Sequence, residues 1–91
     1  MTPFESALIN YGFQQQDNEF IYKDKSEGYT VIGFQDEENP VVFKFTYISK
    51  PGNYRFDLAV NRPDMEHIAQ INSVLIKQIM KEIRDFRLCI N

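Results

Sequence analysis

The side chains with nucleophilic potential are few: one histidine, His67, and one cysteine, Cys89. A thiol nucleophile needs its base within hydrogen-bond reach. Both fall on one long helical pattern, and the residues between them would hold them roughly 33 Å apart on a continuous helix. His67 reads as a solvated residue of the helix's first turn beside Asp64 and Glu66, and Cys89 as a small apolar residue near its end. A zinc site needs three or four Cys or His ligands, more than this chain contains. Asp36, Glu37 and Glu38 are consecutive acids without the alternating spacing of a calcium loop. Gly12, Gly28, Gly33 and Gly52 are isolated, so no glycine-rich phosphate cradle is expected. The expectation is a non-enzyme with no catalytic residues, no metal and no cofactor.

What remains is surface chemistry. Lys77, Lys81 and Arg84 recur at helical spacing, and Arg87 follows one turn later. This basic stripe is the feature best suited to RNA, although Glu82 and Asp85 interleave with it. Tyr29, Phe43, Phe45, Tyr47, Tyr54 and Phe56 have the character of a base-stacking platform. Aromatic rows on strands are more often core, and these rings are expected to form the floor on which the helices pack.

The elements that must position these groups begin with a short helix. Thr2-Pro3-Phe4-Glu5 fits a capping box with proline at the first helical position. Phe4, Leu8 and Tyr11 share a face, Gly12 is suited to stop the helix, and Phe13 plugs its end. Four strands are expected over Glu19–Lys23, Tyr29–Gln35, Val41–Ile48 and Tyr54–Val60. Gly28 suits a left-handed turn position, and Gly33 marks a bulge or a close approach. Lys50-Pro51-Gly52-Asn53 has the chemistry of a type II turn. A long helix over roughly Pro63–Leu88 carries an apolar stripe of Ile68, Leu75, Ile79, Ile83 and Phe86, widened by Met65, Ile71, Ile76 and Met80. Such a helix overhangs strands of this length, so Phe86, Leu88 and Ile90 need cover from the first helix or another chain.

The fold expected for residues 1–91 is one α+β domain, an antiparallel four-stranded meander flanked by a short N-terminal and a long C-terminal helix (α-β-β-β-β-α). At 91 residues the chain has room for one domain with a thin core. Eight Phe and five Tyr without Trp point to a core or a binding face built from rings. A single cysteine, no signal-peptide pattern and no long apolar run place the expectation in the cytoplasm, away from membranes. Charge is uneven. Residues 1–48 hold eight acids against three bases, and residues 49–91 hold five against seven. That distribution lacks the strong basic stripe of a duplex-binding domain.

The element order is similar to that of double-stranded-RNA-binding domains and their toxin relatives, which have three strands. It is also similar to type III secretion chaperone-like domains, which often dimerise and bind proteins. The RNA-binding group has a lysine-rich start to its second helix, whereas Asn61-Arg62-Pro63-Asp64-Met65-Glu66-His67 is not basic. The toxin relatives place a histidine on an early strand, and Asp17-Asn18-Glu19-Phe20-Ile21-Tyr22 has none. No functional residue is therefore carried over.

A sheet covered on one face shows polar residues on the other. Here Ile32, Phe34, Val42 and Ile48 oppose the main apolar rows. The expected function is a protein-interaction module (an adaptor, chaperone-like factor or inhibitor) that buries these four residues, with Asp36, Glu37 and Glu38 supplying electrostatic steering. The expected partner is another protein, a second copy first and a heterologous target next, with nucleic acid disfavoured. The alternative is a small RNA-binding domain using Lys77, Lys81, Arg84 and Arg87.

Overall fold

The computed structural model describes residues 2–60 and 68–90. Helix α1 (Pro3–Tyr11) starts where the sequence places it. Glu5 N–H donates to the Thr2 hydroxyl at 3.2 Å, and Thr2 N–H donates back to Glu5 Oε1 at 2.8 Å. These reciprocal bonds satisfy amides that a helix start leaves unpaired. Gly12 closes the helix with φ 137°, its N–H donating to the Leu8 and Ile9 carbonyls. Phe4, Leu8 and Phe13 are buried, while Tyr11 lies at the edge of the apolar face, exposed and tilted against Tyr22.

The sheet runs β1 (Gln14–Gln16), β2 (Glu19–Asp24), β3 (Tyr29–Gln35), β4 (Val42–Ser49) and β5 (Asn53–Ala59), antiparallel throughout and ordered 1-2-3-4-5. This is the expected meander with one more strand. Three consecutive glutamines have neither the β-branched nor the aromatic character that marks a strand, and β1 is exposed along its whole length. Tertiary pairing creates it. Asp17 takes φ 55° in a two-residue turn, and Gln14 then falls opposite Ile21. Helix α2 spans Ile68–Ile90, running two residues beyond the expected end. The expected helix start, with Pro63, Asp64, Met65 and His67, lies outside the described residues.

Both helices cover one face of the sheet. Leu75, Ile76, Ile79 and Ile83 of α2 and Phe4 and Leu8 of α1 close over Phe20, Val31, Phe43, Phe45, Tyr47 and Phe56. The rings form a continuous network: Phe4 meets Phe43 edge-on at 5.1 Å, and Phe45 stacks on Phe56 at 5.3 Å. Of the residues at the end of α2, Phe86 finds its cover within the chain, on the sheet rather than on α1, whereas Leu88 stays 69% exposed. Phe86 stacks on Tyr54 at 4.8 Å and meets Tyr47 edge-on at 5.5 Å.

Two turns refine the sequence reading. Gly28 adopts φ 74°, as its position requires, and Asp24 Oδ1 accepts from Glu27 N–H and the Ser26 hydroxyl. Those bonds favour the charged carboxylate and hold Asp24 below its ordinary range. Gly52 does not take the positive φ that a type II turn demands. Its carbonyl instead accepts from the Ser49 hydroxyl at 2.7 Å and the Ser49 amide at 3.2 Å, and Phe86 and Ile90 of α2 pack close to its Cα. A side-chain hydroxyl thus takes the place of the expected turn geometry.

Candidate functional site

Strand register decides what the uncovered face presents. Its rows across β2, β3, β4 and β5 are Lys23–Thr30–Ile48–Asn53, Ile21–Ile32–Thr46–Arg55 and Glu19–Phe34–Lys44–Asp57, with Val42 opposite Ala59 beyond them. Ile21 and Ile32 are therefore directly paired, Phe34 follows Ile32 on β3, and Val42 continues this line as a diagonal neighbour of Phe34, while Ile48 lies diagonal to Ile32 on the opposite side, separated from Val42 on β4 by Thr46 and Lys44. Phe34 and Ile48 remain 37% and 39% exposed, while Ile21, Ile32 and Val42 are half-buried by their neighbours. The four apolar residues singled out from sequence thus share one face. Ile21 joins them although its strand does not single it out in the sequence, since it lies between two aromatics, Phe20 and Tyr22, that dominate the pattern of β2.

Charge is ordered along the strand direction. At one end, Asp36, Glu37 and Glu38 occupy the β3–β4 turn, held by Glu38 N–H donating to Asp36 Oδ1 and Gln35 Nε2 donating to the Pro40 carbonyl. Lys44 pairs with Asp36 at 3.9 Å. This turn, Glu19 and the exposed Phe34 border an open depression of about 760 Å³. At the other end Lys23, Lys25 and Lys50 lie on or beside the β2–β3 and β4–β5 turns, together with Asp24 and with Glu27, which Arg87 pairs.

The basic residues of α2 divide. Lys77, Lys81 and Arg84 are exposed and line one groove with Tyr11, Ile76 and Met80. Arg87 points elsewhere. Its guanidinium donates to Glu27 at 2.5 Å and lies 5.1 Å from the centre of the Tyr29 ring, tying α2 to the β2–β3 turn. The carboxylate bond pushes the Arg87 pKa further up. Arg87 thus stands apart from Lys77, Lys81 and Arg84 in the contacts it makes. The partner that claims it is 60 positions away, which helical spacing does not reveal.

Burial, with the nearby Asp24 charge, pushes the Tyr29 phenol up to about 12. The unfolded phenol titrates near ~10, so between the two values the unfolded chain binds fewer protons than the native one. Stability is fully present below that window and falls as pH rises through it. The expected result is a urea midpoint that drops between about pH 10 and 12, with a shallower drop in Tyr29→Phe. Parallel slopes in the two proteins would refute this role for Tyr29.

Cys89 is exposed, and His67 lies outside the described residues. Among the described residues, no group of three or more His, Cys, Asp or Glu is placed to hold a metal ion. Among them too, no helix is long and apolar enough to cross a membrane. The groups with most to offer a ligand are thus the apolar diagonal with its charged ends and the groove beside α1. No family model, curated protein or solved structure matches this chain.

Proposed function

We propose that this protein is a non-catalytic protein-interaction module whose open sheet face docks on another protein, a second copy of the chain being the occupant its charge pattern favours. The observation that carries this reading is the apolar diagonal Ile21, Ile32, Phe34 and Val42 with Ile48 beside it, lying on the face opposite the two described helices, between the acidic Asp36–Glu38 turn and an end where Lys23, Lys25 and Lys50 outweigh Asp24. Two copies packed face to face in opposite directions would set the Asp36–Glu38 turn of each near Lys23 and Lys50 of the other. The flanks of the diagonal are mixed in sign, with Lys44 opposite Asp57 and Arg55 in the next row, so self-packing avoids a like-charge penalty. Packed sheets stand about 10 Å apart, which lets side chains such as Phe34 and Ile48 interdigitate.

The diagonal is narrow, so the contact belongs among weak, transient interfaces, with a dissociation constant of roughly 1–100 µM. Sedimentation across about 10 µM to 1 mM should show the mass rising from 10.8 kDa toward twice that value. Phe34→Glu or Ile48→Glu should weaken the dimer at least about tenfold while leaving the fold intact, because both side chains are exposed. Higher salt should weaken it as well. A monomer at every concentration, or a dimer indifferent to both substitutions, would defeat the proposal. The RNA-binding alternative draws less support, because Arg87 is engaged by Glu27 and Tyr29 and the remaining cations border an apolar floor.

A further inference from the structure

The second groove lies on the helical layer, between α1 and the N-terminal half of α2, and has a volume of about 820 Å³. It continues along α2 past Tyr11, Met80 and Arg84. Its floor is apolar: Ile76 is buried, Met80 half-buried, and Tyr11 exposes nearly half of its surface. Its rim is cationic. Lys77, Lys81 and Arg84 follow one another at i, i+4 and i+7 along the same side of α2. Among the described residues, Lys77 and Lys81 have no acidic partner, and Arg84 meets only its exposed neighbour Asp85 at 3.7 Å. In a chain of net charge −3, a row of cations of which only Arg84 meets an acid, set beside apolar surface, is a local reversal of the overall balance.

We propose that this groove docks an amphipathic helix of a partner protein, whose apolar stripe lies on Tyr11, Ile76 and Met80 and whose acidic flank faces Lys77, Lys81 and Arg84. The cations span about two turns of α2, roughly 10 Å, so carboxylates at i, i+4 and i+7 of a helix running alongside match them in register. Helix-in-groove recognition needs this pairing of apolar anchors with a charged edge. A nucleic-acid backbone would use the cations but gain nothing from Met80 and Ile76, and three cations supply only a few phosphate contacts. A second copy does not fit, because neither described helix carries a row of acids. Helix α1 has only Glu5, and the described part of α2 has only Glu82, held by Tyr54 at 2.7 Å, and Asp85.

The test is a heteronuclear NMR titration of the full chain with three probes. The first is a synthetic helix of about 14 residues with leucines one turn apart and glutamates along one flank. The second is the same peptide with lysines in place of the glutamates, and the third is a short RNA hairpin. The acidic peptide should move the amides of Tyr11, Ile76 and Met80, and Lys77→Glu/Lys81→Glu should weaken its binding about tenfold or more. Unmoved amides of Ile32 and Phe34 in that variant would show that the fold and the open sheet face are untouched. The proposal is overturned if the lysine peptide binds equally well, or if the shifts gather on the open sheet face. It is overturned equally by RNA occupying these amides more tightly than the acidic peptide, or by no shift at about 1 mM acidic peptide.

Discussion

Gly33→Ala should destabilise the protein by about 2–3 kcal/mol, lowering its melting temperature by roughly 10–20 °C. Gly33 faces the core in the centre of β3, directly opposite Phe20 on β2 and Phe45 on β4. The ring of Phe45 lies over it. A methyl group at Gly33 would come within 2.7 Å of Cδ1 and closer still to Cε1. Phe45 cannot swing aside freely, because it is buried and wedged between Phe56 at 5.3 Å and Phe43 at 5.7 Å. Interiors this densely packed answer added volume with strain rather than rearrangement. A smaller residue at position 45 should relieve the conflict. Gly33→Ala combined with Phe45→Leu should then be less destabilised than the sum of the two single changes, by at least about 1 kcal/mol. Urea denaturation of the four proteins measures this coupling, and simple additivity would show that the ring does not confine Gly33.

Ile79→Ala should cost about 3–4 kcal/mol, a large share of the roughly 5–10 kcal/mol expected for a domain of this size. Ile79 is fully buried, at the centre of the α2 stripe that seats on the ring network. Its neighbours are held from both sides, by α1 and by the sheet, so the space left by three missing carbons cannot collapse fully. Val74 makes the control. It lies on the same helix but is 52% exposed, so Val74→Ala should stay within about 0.5 kcal/mol. The midpoint of urea unfolding should shift strongly for the first variant and hardly for the second. A loss below about 1 kcal/mol for Ile79→Ala would mean that α2 is not docked through this face.

The elements most legible in the sequence are those encoded by near neighbours. The capping box of α1 involves residues 2 to 5 alone, and its two hydrogen bonds form as the pattern requires. Alternation in Tyr54–Ala59 sorts Tyr54, Phe56 and Leu58 from Arg55 and Asp57 with no knowledge of any other strand. Gly33 shows the limit. Its type marks an irregularity, but only the unbroken register across β2, β3 and β4 excludes a bulge and leaves close approach of a ring as the cause. Strand β1 lies further beyond reach, since three exposed glutamines become a strand only because the edge of β2 offers them partners.

The same division holds for the surfaces. By itself the sequence determined the two-helix meander and the opposition of Ile32, Phe34, Val42 and Ile48 to the aromatic rows, because a side chain's face follows from position within its own strand. Tertiary structure alone decided that Ile21 meets Ile32, that the Asp36–Glu38 turn and the Lys50 turn stand at opposite ends of one face, and that Arg87 is bound to Glu27 while Lys77 and Lys81 stay free among the described residues. Those are relations between residues distant in the chain. Local periodicity says where each side chain points, but only pairing register and helix docking bring two of them together.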